Sequence, residues 1–275
     1  MHFRGINFVN MNTAGYLASV FIGISLGLVG AGGSILTVPV LVYLFGLDAL
    51  SATVYSLFIV GITSIAGAVS YFRKGMVNVR TAVLFGIPSI ISVFFTRTYL
   101  VPVIPEVILT TGQYTLTKDI LLMLLFALLM VSAAYSMIRN NVPDVHNAYR
   151  NRPLGYLHVF IQGVFVGVVT GFVGAGGGFL IIPALVNLLK MPIRAAVGTS
   201  LVIIALNSIS GFLFSLSRIA VHWGFLAGIA GIATGGILIG SYLSSRIDGR
   251  RLKPTFGWFV LVMGVYIIFR ETWIK

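Results

Sequence analysis

Eight long apolar runs, at approximately 14–45, 51–72, 79–96, 118–138, 154–189, 195–217, 222–245 and 254–270, leave this chain of 275 residues few ways to fold. A run of about 20 apolar residues crosses the hydrocarbon core as a helix, because a helix pairs every backbone N–H and C=O within the segment. Charged residues make up only 9% of the chain, where a soluble domain of this size carries about a quarter. The expectation is an all-α, multi-pass integral membrane protein. The formal charge of +12 sits singly or in short groups between the apolar runs, as topology signals do, and not as a nucleic-acid surface. The lipid bilayer is therefore a partner and nucleic acid is not. The first thirteen residues are polar with Arg4 as their single base, and the apolar run that follows is too long for the core of a cleavable signal, so none is expected.

Chemistry is bounded by what is missing. Without cysteine there are no disulfides, thiolate metal sites or iron–sulfur clusters. The four histidines, His2, His146, His158 and His222, lack metal-ligand spacing, so neither metal nor cofactor is expected. No buried nucleophile or paired acid suggests an enzyme.

The two halves repeat. Shifting the chain by 144 residues lays 22–78 on 166–222 without a gap, and about 20 of those 57 positions are identical. The polar stretch "RNNVPDVHNAYRNRP" from Arg139 to Pro153 lies between them. The expected organisation is a first transmembrane repeat at 1–138, a cytoplasmic linker at 139–153 and a second repeat at 154–275.

Each repeat opens with a glycine cluster inside its apolar run, "VGAGGSILTVP" at Val29–Pro39 and "VGAGGGFLIIP" at Val173–Pro183. Glycine costs a helix about 1 kcal/mol relative to alanine, and Pro39 or Pro183 removes a donor a few residues later. Non-helical backbone inside a membrane survives only where protein buries it or water reaches it. These clusters therefore read as helix breaks near the bilayer midplane. Gly23, Gly27, Gly167 and Gly171, at i and i+4, read instead as close helix packing. A dinucleotide loop fails, because Phe179 stands where the third glycine should be.

Charge arbitrates between crossing and re-entry. If every run crosses, the 18 Lys and Arg divide about 10 to 8 between the two sides. If both glycine-broken segments re-enter, about 12 fall on one side and 6 on the other, which the positive-inside rule prefers. Each repeat then keeps three full crossings, the repeats are inverted, both termini lie outside and the linker lies in the cytoplasm. Inverted repeats whose broken helices meet at midplane are a secondary-transporter pattern.

The sign of the substrate follows from the acids. Asp48, Glu106, Asp119, Asp144, Asp248 and Glu271 all lie in loops or at segment ends, whereas a cation carrier normally needs an acid within the span. An oxyanion can be held by free amides at broken helix ends, which carry the positive end of the helix dipole. The candidate substrate-binding residues are Gly30, Gly32, Gly33 and Ser34 in the first cluster, and Gly174, Gly176, Gly177 and Gly178 in the second. Ser34 is placed to cap the second half-helix of repeat one. Ser56 and Ser64, with Thr63, and Thr199, Ser200, Asn207 and Ser208 supply hydroxyls and an amide from the next helix of each repeat. Ser56 to Thr63 and Ser200 to Asn207 are spaced to share a helical face.

These residues resemble the TauE/SafE sulfite exporter family. The resemblance rests on Gly167–Leu185, its sibling Gly23–Leu41, "RAAVGTSLVII" at Arg194–Ile204 and "GGILIGSYLSSRIDGRRLKP" at Gly235–Pro254. It implies a plasma-membrane carrier, usually assigned to export, for small sulfur-containing anions such as sulfite, sulfoacetate or other organosulfonates. Repeat one departs from repeat two, with Tyr55 in place of Thr199 and Leu50 in place of Arg194, which predicts an asymmetric site. His158 and His222 are available as proton carriers. An anion channel, a non-transporting scaffold subunit and a homo-oligomer stay open.

Overall fold

The computed structural model describes residues 13–29, 34–111, 114–139, 156–187, 189, 191–244 and 249–273. Of the expected linker at 139–153, residues 140–153 lie outside the described residues, as does the first glycine cluster, Gly30, Gly32 and Gly33.

Helices α1 (Thr13–Val29) and α2 (Thr37–Tyr43) lead into α3 (Ala49–Arg73) and α4 (Val79–Phe95). A π turn at Thr96–Leu100 and the short α5 (Val101–Val103) prolong α4, and a hairpin of β1 (Val107–Thr111) and β2 (Tyr114–Thr117) connects it to α6 (Lys118–Arg139). The second half contains α7 (Tyr156–Val173), α8 (Gly178–Asn187), α9 (Ile193–Ser215), α10 (Trp223–Ser244) and α11 (Gly249–Trp273). Among the described residues, five segments are long and apolar enough to cross a membrane: Ala49–Arg73, Val79–Val103, Lys118–Ser136, Arg194–Ser215 and Trp223–Leu243. Phe21, Ile65, Ile87, Ile91, Leu128, Phe160, Leu213 and Val262 are exposed on their outer faces, as lipid-facing side chains should be.

Local chemistry sets the boundaries. Asp48 caps α3 by accepting from the Ser51 N–H at 2.8 Å, and Asn78 caps α4 by accepting from Thr81 at 3.0 Å. The α3–α4 turn closes on Gly75, at φ +65°, whose N–H donates to Phe72 while that of Met76 donates to Tyr71; these are the two bonds of a Schellman motif. The prolines do not break the helices that hold them. Pro39 sits in the first turn of α2, where a backbone donor has no helical acceptor anyway, and Pro183 lies within α8.

Helices pack mainly on helices of the other half. α1 lies against α10, α7 against α4, and α3 against α9. Glycine makes the first two pairs possible: a Cβ added at Gly23 would stand 2.1 Å from the Ala233 carbonyl oxygen, and one at Gly167 would stand 2.3 Å from that of Ser89. In both pairs the contacts advance in step along the two chains, so the helices run parallel: Gly23 meets Gly236 and Gly27 meets Gly240, while Gly167 meets Ser92 and Gly171 meets Thr96. Between α3 and α9 the contacts run in opposite directions, Gly67 against Leu201 and Gly211 against Leu57, so these two are antiparallel. Every one of these contacts maps onto another when each residue is replaced by its partner 144 positions away.

Candidate functional site

α7 ends at Val173 and α8 begins at Gly178. Between them Gly174, Gly176 and Gly177 all adopt left-handed backbone, with φ of 72°, 67° and 69°. Residues with a side chain rarely tolerate that region. The turn is enclosed on all sides: Gly174, Ala175, Gly176, Gly177 and Gly178 are buried. A Cβ on Gly176 would stand 2.6 Å from Ser208 Oγ, 2.8 Å from Ile204 and 3.1 Å from Val60. Ile204 and Val60 lie near the midpoints of α9 and α3, so the turn sits level with the middle of both helices. One on Gly174 would stand 2.4 Å from the Thr53 carbonyl oxygen, and one on Gly177 would collide with Thr170 Oγ1. The carbonyl of Gly177 takes the N–H groups of Leu180 and Ile181, which starts α8 and leaves the amides ahead of them at the positive end of the helix.

The polar residues predicted for the site divide into two groups. Ser56, Ser64 and Ser208 are fully buried and their hydroxyls have no hydrogen-bond partner. Asn207 donates from Nδ2 to Ser89 Oγ at 2.7 Å, and its Oδ1 is buried without a partner. Thr170 Oγ1, against the turn, is likewise unpartnered. An unpaired buried polar group costs about 1–3 kcal/mol, and two of these, Ser208 and Thr170, lie directly against the glycine turn.

The second group is engaged in the fold itself. Ser200 donates to the Val197 carbonyl at 2.8 Å, and Thr63 to that of Ile59 at 2.7 Å. Thr199 Oγ1 accepts from the Asn78 N–H at 3.0 Å, which ties α9 to the start of α4. Its repeat partner, Tyr55, accepts from the His222 N–H at 3.0 Å and ties α3 to the start of α10. The difference between Tyr55 and Thr199 therefore preserves one structural hydrogen bond in both halves. Ser34 is buried in the single 3₁₀ turn before α2, and Leu36, not Ser34, occupies the N-cap position.

One buried residue near the turn escapes a reading of apolar runs. Arg97, which counts as a loop residue when the third run stops at 96, lies in the π turn that prolongs α4 and is only 3% exposed. Its Nη1 donates to Thr53 Oγ1 at 3.2 Å, while Nε and Nη2 have no partner. Thr53 is the residue against which Gly174 packs. The signal was present in the sequence: Tyr99, Leu100, Val101 and Val103 continue the apolar run past Arg97, making it an ionisable residue inside a span.

The sulfite exporter TauE/SafE family matches residues 16–267, nearly the whole chain. This chain belongs to the TauE/SafE family. It is 30% identical over 255 residues to a protein of Xylella fastidiosa named "Probable membrane transporter protein", covering 91% of this chain and 92% of that one. The Methanocaldococcus jannaschii "Probable membrane transporter protein MJ0441" is 25% identical over 267 residues, covering 92% and 93%. The Bacillus subtilis "Probable membrane transporter protein YdhB" is 24% identical over 255 residues, covering 92% and 98%. No solved structure matches the chain. This TauE/SafE protein is thus a multi-pass membrane protein of a transporter family, and its buried glycine turn packs against the unpartnered hydroxyls of Ser208 and Thr170 and against Thr53, which holds Arg97.

Proposed function

We propose that the protein is a secondary transporter, working as an exporter, of small sulfur-containing oxyanions such as sulfite or organosulfonates. Its substrate site is formed where the two glycine-broken segments meet, and alternating access comes from rocking of one half against the other. The observation that carries this reading is the turn at Gly174–Gly178. Three left-handed glycines precede α8, and Gly176 and Gly177 pack against Ser208 and Thr170, whose hydroxyls are buried without a protein partner. Such a site suits an oxyanion, which accepts hydrogen bonds from amides and hydroxyls and gains from the helix dipole.

We infer further that the halves at 1–138 and 154–275, joined by a cytoplasmic linker at 139–153, are inverted repeats. The antiparallel α3–α9 pair supports this, since corresponding helices of the two halves then point in opposite directions. So does the charge distribution: with Arg97 placed inside a span, the outer side keeps about 5 of the 6 basic residues first assigned to it, against 12 on the inner side.

The test is flux in proteoliposomes with sulfite, sulfoacetate, taurine and sulfate. Saturable, trans-stimulated movement of one or more sulfur oxyanions is the expected result. Non-saturating currents would make the protein a channel, and movement of a cation with none of these anions would overturn the anion reading.

A further inference from the structure

Arg97 has no counterpart in the second half: the position 144 residues on is Ser241, on α10. Among the described residues Arg97 is the one buried cation, and the one buried acid, Glu271, lies on α11 bonded to Tyr43. A guanidinium normally enters an apolar interior only with a carboxylate, because an unpaired buried charge carries a large desolvation penalty. Arg97 has instead a single neutral acceptor, Thr53 Oγ1, on its Nη1. The two nitrogens left over, Nε and Nη2, form one edge of the planar group. Their N–H bonds run side by side, the fork that matches two oxygens of a carboxylate, phosphate or sulfonate. Thr53, which holds the other edge, touches Gly174 at the start of the glycine turn. The fork is therefore unfilled by protein and one side chain away from the turn.

We propose that Arg97 is the charge-recognition residue of the site, that its Nε–Nη2 edge grips one oxyanion group, and that the site thereby prefers singly charged anions, a simple sulfonate or sulfite in its hydrogensulfite form, to dianions such as sulfate. This rests on the anion-transport reading and sharpens it. One fixed positive charge neutralises one negative charge. A second negative charge on the ligand would meet only hydroxyls and amides among the described residues, which stabilise it less than water does when the site is dry. Thr53 sets the orientation: by occupying Nη1 it leaves the fork edge free.

The experiment uses the full chain in proteoliposomes, with methanesulfonate as the monoanionic probe and sulfate as the dianionic competitor. The wild-type protein takes up methanesulfonate saturably, and equimolar sulfate competes weakly. Arg97→Met loses on the order of 30-fold in kcat/KM, as when a buried charged partner is removed. It nevertheless melts no lower than wild type in detergent, because an uncompensated charge has gone, and methanesulfonate no longer raises its melting temperature. Arg97→Lys keeps the charge but not the fork, and shows a raised KM with kcat less affected. Three results would overturn the proposal. They are an unchanged KM in Arg97→Met, a lower melting temperature in that variant with the methanesulfonate shift intact, and sulfate competing as well as methanesulfonate itself. A wild-type protein that moves no anion at all would sink the underlying transport reading, whatever the variants do.

Discussion

At the residue scale, Gly176 and Ser208 separate the cost of the turn from its use. A Cβ at Gly176 would meet Ser208 and Ile204 inside 3.0 Å, at a φ of 67°. Gly176→Ala should therefore lose about 1–3 kcal/mol of stability, read as a lowered melting temperature, and most of the flux. Ser208→Ala should behave in the opposite way. Removing a buried hydroxyl that has no partner relieves up to about 1–3 kcal/mol of desolvation, so the melting temperature holds or rises while KM for the anion increases. A fall in stability with KM unchanged would make Ser208 a packing residue. The glycines of the turn, and Ser208 against Gly176, stand out in the sequence because they recur at a fixed offset in two apolar settings. Thr199 was legible as a polar residue but not in its role, since nothing in a linear pattern tells that its hydroxyl faces the Asn78 amide and not the turn. Arg97 falls just beyond a third apolar run that ends at 96, whereas the π turn carries the helix through it to Val103.

At the element scale, the helix pairs depend on which glycines are covered. Gly27 on α1 lies against α10, where an added Cβ would stand 2.5 Å from both the Ile237 carbonyl oxygen and the Ser241 nitrogen. Backbone cannot give way as a flexible side chain can. Gly27→Val should force the pair apart and cost several kcal/mol, in the range of overpacked cores, with early thermal unfolding in detergent. Gly228, on an open face of the same α10, has nothing within 4 Å of an added Cβ. Gly228→Ala should raise stability by about 0.5–1 kcal/mol through helix propensity and loss of backbone freedom in the unfolded chain. Equal effects at the two positions would contradict the α1–α10 contact. The spacing of Gly23 and Gly27 exposed this packing face in the sequence, but not its partner, which lies more than 200 residues away in the other half. The hairpin was also unread. Its strands are short, and Val107–Thr111 follows directly on an apolar span, so β-branched composition was its single local mark.

At the scale of the whole molecule, duplication was plain in the sequence while the relative direction of the repeats was not. Identity at matched positions is blind to orientation, and only charge asymmetry speaks to it before packing is known. The interleaving of the halves, with α1 on α10 and α7 on α4, was illegible because either set of partners buries the same apolar faces. Orientation has a direct test, since the chain has no cysteine to compete. Lys74 and Arg218 are related by the 144-residue offset, and each ends the central helix of its half, near the turns into α4 and α10. Parallel repeats would put both on one side of the membrane, and inverted repeats must put them on opposite sides. With Lys74→Cys and Arg218→Cys made singly, a membrane-impermeant thiol reagent should label position 218 in intact cells. Position 74 should react only after permeabilisation, because it belongs to the basic Arg73–Arg80 group that the positive-inside rule assigns to the cytoplasm. Labelling of both from the same side would remove the inverted arrangement. With it would go the proposed arrangement in which the two glycine-broken segments form one site.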